Sequence, residues 1–323
     1  MTSGEDKLDS TPETVAVVVV TYNSERLLPD LIASLPPGLE GVDWQLIVAD
    51  NASKDDSVGA VRRLKPDAIV VEMGRNAGYA AGINAAVAKA GRFDAVLVLN
   101  PDVRLTPGCV RTLLKVLKTE GTGIAVPLLK DGDGELIHTM RREPSVRRVL
   151  GDALMGAVRA GRYPALGEMV TDESMYTAER VADWAEGSTV LISAECWNRI
   201  GAWDESFFLY SEETDFALRA KDAGLATRFT PEAQAVHLEG DSKVSPALWT
   251  LLTLNKVRLY GRRHNRALGA AFWAALVLRE GSRAVLGKEP SKLATKALVK
   301  PSRLREAPGP DTVQRDAARV AGR

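Results

Sequence analysis

The chain has 323 residues, 45% hydrophobic and 26% charged, with 42 basic and 42 acidic side chains. That is enough to bury a full core, and the composition is ordinary for a soluble globular protein. Its two cysteines, Cys109 and Cys196, lie far apart without metal-ligand spacing, which excludes a disulfide scaffold and points to a reducing compartment. The neutral balance hides an asymmetry: residues 256–323 carry 16 basic and 5 acidic side chains, the remainder 26 and 37. A basic tail on an acidic body is expected to face something anionic, such as a membrane surface or nucleic acid. Residues 1–14 are polar and mixed in charge, without the apolar segment of a secretory signal, and read as a disordered N-terminus. The longest apolar stretch, 267–278, is shorter than the ~20 residues a spanning helix needs.

In chain order, 15–20 is a continuous β-branched and apolar run, the pattern of a parallel strand buried on both faces. Leu27, Leu28, Leu31, Ile32 and Leu35 then follow helical spacing, with Ser24 as N-cap. Residues 44–49 form a second strand ending at Asp50 and Asn51, and Ser53 or Asp55 caps a helix carrying Val58, Val61 and Leu64. A strand at 68–71 precedes a helix over 76–90. A strand at 95–99 stops at Asn100-Pro101-Asp102, and Val110, Leu113, Leu114 and Leu117 mark the next helix before a strand at 123–129. This alternation predicts a mostly parallel sheet covered by helices on both faces.

After Lys130 the pattern changes. Residues 131–134 form a hairpin-type turn, and 145–176 have no clean period. Strands are predicted at 188–193 and 233–237, and helices at 194–200 and 213–223. Leu248, Leu251, Leu252 and Leu259 mark a helix that is basic from Lys256 onward; beyond Gly287 the chain reads as a loosely ordered tail. The expected organisation is a domain over 15–245, with halves at 15–130 and 131–245, then basic and apolar helices over 246–286 and a flexible tail over 287–323.

Polar residues recur at the predicted strand ends: Thr21, Tyr22 and Asn23; Asp50 and Asn51; Arg75 and Asn76; Asn100 and Asp102. In a parallel sheet these ends share one edge, the edge where ligands bind. Asp102, on a loop fixed by Pro101, is placed to hold a divalent cation against a diphosphate. No Gly-x-Gly-x-x-Gly or Walker lysine loop follows the first strand, which counts against a dinucleotide dehydrogenase.

Val-Val-Val-Thr-Tyr-Asn, Ala-Asp-Asn-Ala-Ser-Lys-Asp, Arg-Asn-Ala-Gly-Tyr-Ala-Ala-Gly-Ile-Asn and Leu-Asn-Pro-Asp, in that order, resemble the family 2 glycosyltransferases. So do the run 203–216, with Glu212-Glu213-Thr214-Asp215, and Ala235-Val236-His237. The resemblance covers about 15–260 and implies an inverting enzyme of the GT-A fold, an α/β architecture with a mostly parallel central sheet and here a C-terminal helical extension. Within the family the chain resembles bacterial rhamnosyltransferases that build cell-wall linkers and surface polysaccharides. The implied donor is a nucleotide-diphospho-sugar, dTDP-rhamnose or a UDP-sugar, and the implied acceptor a glycan or lipid-linked saccharide.

Residue by residue, the resemblance implies that Asp50 reads the pyrimidine imide N–H. Thr21, Tyr22, Asn23 and Asn51 line the nucleotide pocket, and Arg75 and Asn76 sit near base and ribose. Asp102 matches the last carboxylate of the family's Asp-x-Asp motif, whose first position is Asn100 here. His237 completes the shell of a Mg²⁺ or Mn²⁺ ion. Glu213 stands where the family has its catalytic base, an Asp, with Glu212 and Asp215 beside it. Trp184, Glu186, Gly187 and Ser188 resemble the segment lining the acceptor site. Arg141 and Arg142 read either as phosphate contacts or as exposed surface arginines. A non-catalytic sugar-nucleotide-binding protein and a nucleotidyltransferase are the rival classes. Residues 256–286 are expected to meet an anionic membrane surface, placing the protein in the cytoplasm at the inner face of the cell membrane. No nucleic-acid partner is expected, and a second copy of the chain is left open as one.

Overall fold

The computed structural model describes residues 13–238 and 245–321; the expectation of disorder over 1–12 lies outside them. The first half alternates as predicted: β1 (Thr14–Thr21), α1 (Leu28–Gly38), β2 (Asp43–Asp50), α2 (Ser57–Leu64), β3 (Ile69–Glu72), α3 (Tyr79–Val87) and β4 (Ala95–Leu99). Then come β5 (Val103–Leu105), α4 (Cys109–Leu117), β6 (Thr122–Lys130), β7 (Leu136–Ile137), β8 (Met140–Arg141), α5 (Val146–Met155) and α6 (Ala157–Gly161). The chain continues through β9 (Arg180–Ala182), β10 (Trp184–Ala185), β11 (Thr189–Ser193), α7 (Ala194–Ile200), α8 (Glu212–Asp222) and β12 (Ala226–His237). It closes with α9 (Pro246–Arg263), α10 (Arg266–Val285), α11 (Glu289–Leu298), α12 (Pro301–Arg305) and α13 (Pro310–Ala321).

The main sheet runs β3-β2-β1-β4-β11-β6-β12-β5. The first four strands are parallel neighbours, with Thr21 opposite Asp50 and Val19 opposite Leu99. The run 15–20 is apolar at every position because both faces are covered. Val15, Val17 and Val19 pack with Leu28, Leu31, Leu35 and Leu113, whereas Ala16, Val18 and Val20 pack with Ile83, Trp203 and Phe216. Each such side chain contributes roughly 1.5–3 kcal/mol on burial.

The order departs from simple alternation at the centre. β11, from the second half, inserts antiparallel between β4 and β6, so the sheet is mixed. That reversal makes β11 start at the edge where β1, β2 and β4 end. β12 is twelve residues long, more than twice the predicted strand at 233–237, and a register shift between Thr230 and Gln234 interrupts its pairing with β6. Pro231 lies in that interruption and lacks the N–H needed for a continuous ladder.

The C-terminal segment differs most from expectation. Residues 289–321 do not form a loose tail but three helices. Leu293, Ala294, Ala297 and Leu298 are buried at helical spacing, and Leu298 and Ala297 join Phe272, Leu276, Tyr260 and Val149 in a third core. In the 256–286 segment, expected to meet an anionic membrane surface, several of the cations and apolar side chains are engaged within the protein. Lys256 pairs with Glu168, Arg262 with Asp204 and Arg263 with Asp222, while Arg258 donates to the Arg303 and Glu306 carbonyls. Phe272, Ala275 and Leu276 are buried in the protein. Among the described residues no helix is long and apolar enough to cross a membrane.

Candidate functional site

The strand ends converge as the sequence predicts. Thr21 Oγ1 donates to Asp50 Oδ1 at 2.9 Å, and Asp50 also accepts from the Ser53 amide and hydroxyl. Asn23, at φ 55°, accepts the Lys54 amide at 2.7 Å and donates its own to Ser53, so it stitches the loops after β1 and β2. Asn51 is buried and holds Gly78 O and the Ala77 amide. Tyr22 is 44% exposed beside them.

At the next strand end, His237 Nε2 stands 3.2 Å from Asp102 Oδ2. Antiparallel pairing of β12 with β5 produces this meeting, since His237 faces Val103 across the ladder. Both side chains are mostly buried, at 12% and 14% exposure. One hard carboxylate oxygen and one imidazole suit a divalent cation. Among the described residues no third carboxylate, His or Cys joins them, so such an ion needs ligand oxygens to complete its shell.

Opposite lies the start of α8. Phe208, Tyr210 and Ser211 precede it at φ 65°, 67° and 79°, backbone that non-glycine residues adopt only when held there. The turn delivers Glu212 and Glu213 to a cavity of about 380 Å³ that Asn100, His237, Trp184, Gly187 and Ser188 also line. Gly187 eases this approach, because a Cβ there would stand 3.1 Å from the Glu213 Cβ, a tight contact. Burial raises the Glu213 carboxyl to about 7. Burial and the neighbouring Glu213 push Glu212 well above the usual carboxylate range. Glu213 therefore exchanges a proton near neutral pH, and Glu212 holds its proton more tightly than an ordinary carboxyl does.

The structure separates other expected site residues from this cavity. Asp215 pairs with Arg219 at 2.7 Å, and Arg219 donates to Ile200 O and Ala202 O; Asp215 anchors the helix. Arg75 is exposed and lines a separate hollow with Met73, Asn84 and Glu205. Asn76 does not cap α3, which starts after Gly78; its Oδ1 accepts the Gly78 amide. Ser24 likewise does not cap α1, which begins after Leu27. Arg141, by contrast, is buried and lines the cavity: it pairs with Glu186, which lines it too, and lies over the Trp184 ring. Arg142 donates to the carbonyls of Gly161, Gly167 and Met169 and holds the segment after α6.

Sequence reasoning missed several residues of the site. Tyr79 falls within the helix predicted over 76–90 and is not among the predicted site residues, yet its hydroxyl donates to Asn100 Oδ1 at 2.7 Å. Trp249, Leu252 and Lys256 line the cavity from α9, and Arg279 and Arg283 from α10. Their spacings, three and four residues in α9 and four in α10, place each set on one face, which was the available signal.

Residues 16–167 match Glycosyl transferase family 2, and residues 95–286 match Glycosyl transferase family group 2. An N-acetylglucosaminyl-diphospho-decaprenol L-rhamnosyltransferase of Mycobacterium tuberculosis is 28% identical over 250 residues, covering 71% of this chain and 78% of the relative. The rhamnosyltransferase WbbL of Escherichia coli is 22% identical, covering 69% and 83%. Among solved structures, a mannosyltransferase of Pyrobaculum calidifontis in complex with GDP-Man and Mn²⁺ superposes with a TM-score of 0.54 at 15% identity, covering 96% of this chain and 88% of that one. Glucosyl-3-phosphoglycerate synthase of Mycobacterium tuberculosis superposes with a TM-score of 0.52 at 19% identity, covering 77% and 80%. The mixed, mostly parallel sheet with its flanking helices is thus the GT-A fold, and the chain belongs to the family 2 glycosyltransferases.

Proposed function

We propose that the protein is a metal-assisted inverting rhamnosyltransferase. In this reading it moves L-rhamnose from dTDP-rhamnose to N-acetylglucosamine carried on a polyprenyl diphosphate. The observation that carries the chemistry is that His237, paired with Asp102, and Glu213 line one cavity from opposite elements. The choice of sugar and acceptor is supported by the mycobacterial relative at 28% identity.

Asp50 accepts the imide N–H of the thymine, in a pocket formed with Thr21, Tyr22, Asn23 and Asn51, and Arg75 and Asn76 lie on the ribose side. Asn100, held by Tyr79, faces the diphosphate. Asp102 and His237 would hold a Mg²⁺ or Mn²⁺ ion, which supplies positive charge against the departing diphosphate. Trp184, Glu186, Gly187 and Ser188 seat the acceptor sugar, with Arg141 fixing Glu186. Glu213 takes the proton of the acceptor hydroxyl as its oxygen bonds the anomeric carbon and the carbon–oxygen bond to the diphosphate breaks on the opposite face. Glu212, whose carboxyl burial and Glu213 push upward, lines the cavity beside the base.

The test is transfer from labelled dTDP-rhamnose and UDP-sugars to a polyprenyl-diphospho-N-acetylglucosamine, with the product anomer assigned by NMR. Rhamnose transfer with inverted configuration is expected. Retention of configuration, or a UDP-sugar used in preference, would overturn the reading.

A further inference from the structure

Asn100 is where this chain departs from the Asp-x-Asp motif, and its side chain is not left to turn freely. The Tyr79 hydroxyl stands 2.7 Å from Asn100 Oδ1 and 3.3 Å from Gly187 O. The first is the usual length of an O–H···O bond and the second is long for one, so the hydroxyl proton goes to the amide oxygen. Turning the amide over would set its nitrogen against the hydroxyl and leave that proton only the more distant carbonyl. The Asn100 oxygen is therefore occupied. Its NH2 group has no hydrogen-bond partner among the described residues, and Asn100 lines the cavity that His237, Glu212 and Glu213 also line.

Both members of this pair are held in place. The Asn100 amide donates to Ser188 O at 2.9 Å, and its carbonyl accepts from the Val103 amide at 3.2 Å. Tyr79 opens α3: its backbone amide donates to Phe208 O at 2.8 Å, and its ring meets Trp203 edge-on, 6.3 Å between centroids. Gly78 before it has φ 97°, and a Cβ there would collide with Phe208 O, so the helix can start against that carbonyl only with glycine. Burial, then the charges of Glu212, Asp102 and Glu213, hold the Tyr79 hydroxyl well above its ordinary value, so it remains a donor.

A carboxylate at position 100 would accept from Tyr79 as well, but its second oxygen would bring negative charge to the cavity close to Asp102. The amide brings an N–H donor instead. A diphosphate offers only acceptor oxygens, so the amide suits a phosphoryl group where a carboxylate suits a cation.

We propose that Tyr79 fixes Asn100 so that its side-chain N–H donates to the diphosphate of the nucleotide. Position 100 then recognises the donor directly instead of holding the cation, and Tyr79 is its positioning residue. This rests on the reading of the cavity as a nucleotide-sugar site.

Calorimetric titration of the full chain with TDP and with thymidine, in the absence of divalent cation, tests it, because the contact needs the phosphates and not the metal. Asn100→Ala should weaken TDP at least about tenfold and leave thymidine within twofold of wild type. Asn100→Asp, which keeps the shape and the bond from Tyr79, should weaken TDP at least as much without cation and recover part of the loss in Mg²⁺. Tyr79→Phe, which keeps the ring against Trp203, should weaken TDP about fivefold, and adding it to Asn100→Ala should cost nothing further. TDP affinity within twofold of wild type in Asn100→Ala, or an equal loss for thymidine, overturns the contact. Additive losses in the double variant overturn the role of Tyr79. If TDP, UDP and GDP all fail to bind the wild type, the nucleotide-sugar reading falls and the proposal with it. If TDP responds as expected but no rhamnose is transferred, the choice of sugar fails and the pair stands.

Discussion

Asn255 donates its side-chain amide to the Tyr210 carbonyl at 3.0 Å, and to those of Phe207 and Leu209 at 2.9 Å each. A fully buried residue of α9 thus clamps the left-handed turn that aims Glu213. Strained residues of this kind cost on the order of 1–3 kcal/mol each and persist only when their surroundings hold them. Asn255 is in turn fixed by Arg258 at 2.6 Å, which reaches the carbonyls of Arg303 and Glu306. Asn255→Ala leaves three carbonyls without this donor and should destabilise the fold by ~1–3 kcal/mol. As a positioning residue it should also lower kcat while the donor KM stays near wild type. Thermal unfolding and steady-state kinetics check both, and an unchanged kcat would refute the clamp.

Asp102→Ala should remove the response of turnover to Mg²⁺ or Mn²⁺. His237→Ala should raise the half-saturating cation concentration at least about tenfold, ~1.4 kcal/mol of binding. Activity titrated against each ion measures this; equal titration curves for wild type and His237→Ala would remove the imidazole from the cation site.

Glu213→Gln should keep donor binding and lose at least about 10²-fold in rate. Because burial raises this carboxyl to about 7, wild-type kcat should fall as pH drops through that value. The stability effect has the opposite sense. A carboxyl with a raised folded-state value binds more protons folded than unfolded, so its contribution to stability declines as pH rises from about 4.5 toward 7. In Glu213→Gln that decline should shrink, as unfolding measured at several pH values will show.

Asp50→Asn preserves side-chain volume but replaces one acceptor oxygen with a donor that opposes an imide N–H. Affinity for TDP and UDP should fall by ~1–3 kcal/mol. Calorimetry with TDP, UDP and GDP decides it; a purine nucleotide binding the wild type more tightly than either pyrimidine would refute the pocket assignment.

The bidentate pair between Arg303 and Asp316, at 2.8 and 2.6 Å, ties α12 to α13. Both partners are buried, with side-chain exposures of 10% and 3%. Asp316→Ala leaves the guanidinium only Glu306, 3.0 Å from its Nε, and should cost ~1–3 kcal/mol. A melting temperature within a degree of wild type would show that this segment does not support the fold.

The amino-acid sequence by itself determined the first half of the fold, through β4. Its strands are runs apolar at every position and its helices repeat at 3.6, signals written within a dozen residues. The polar groups at the strand ends follow, because a parallel sheet brings Thr21, Asp50 and Asn100 to one edge whatever lies elsewhere. Only the tertiary structure decided the rest, since its partners are remote along the chain. The reversal of β11 that places Gly187 against Glu213 depends on pairing with β4. Lys256 reads locally as part of a cationic patch, but its counter-charge, Glu168, lies 88 residues away. Composition made residues 289–321 look loose, yet α11 buries Leu293 and Leu298 against helices that only the folded chain brings within reach. Local periodicity encodes which elements form; long-range burial and charge pairing decide which of their faces become core, brace or cavity wall.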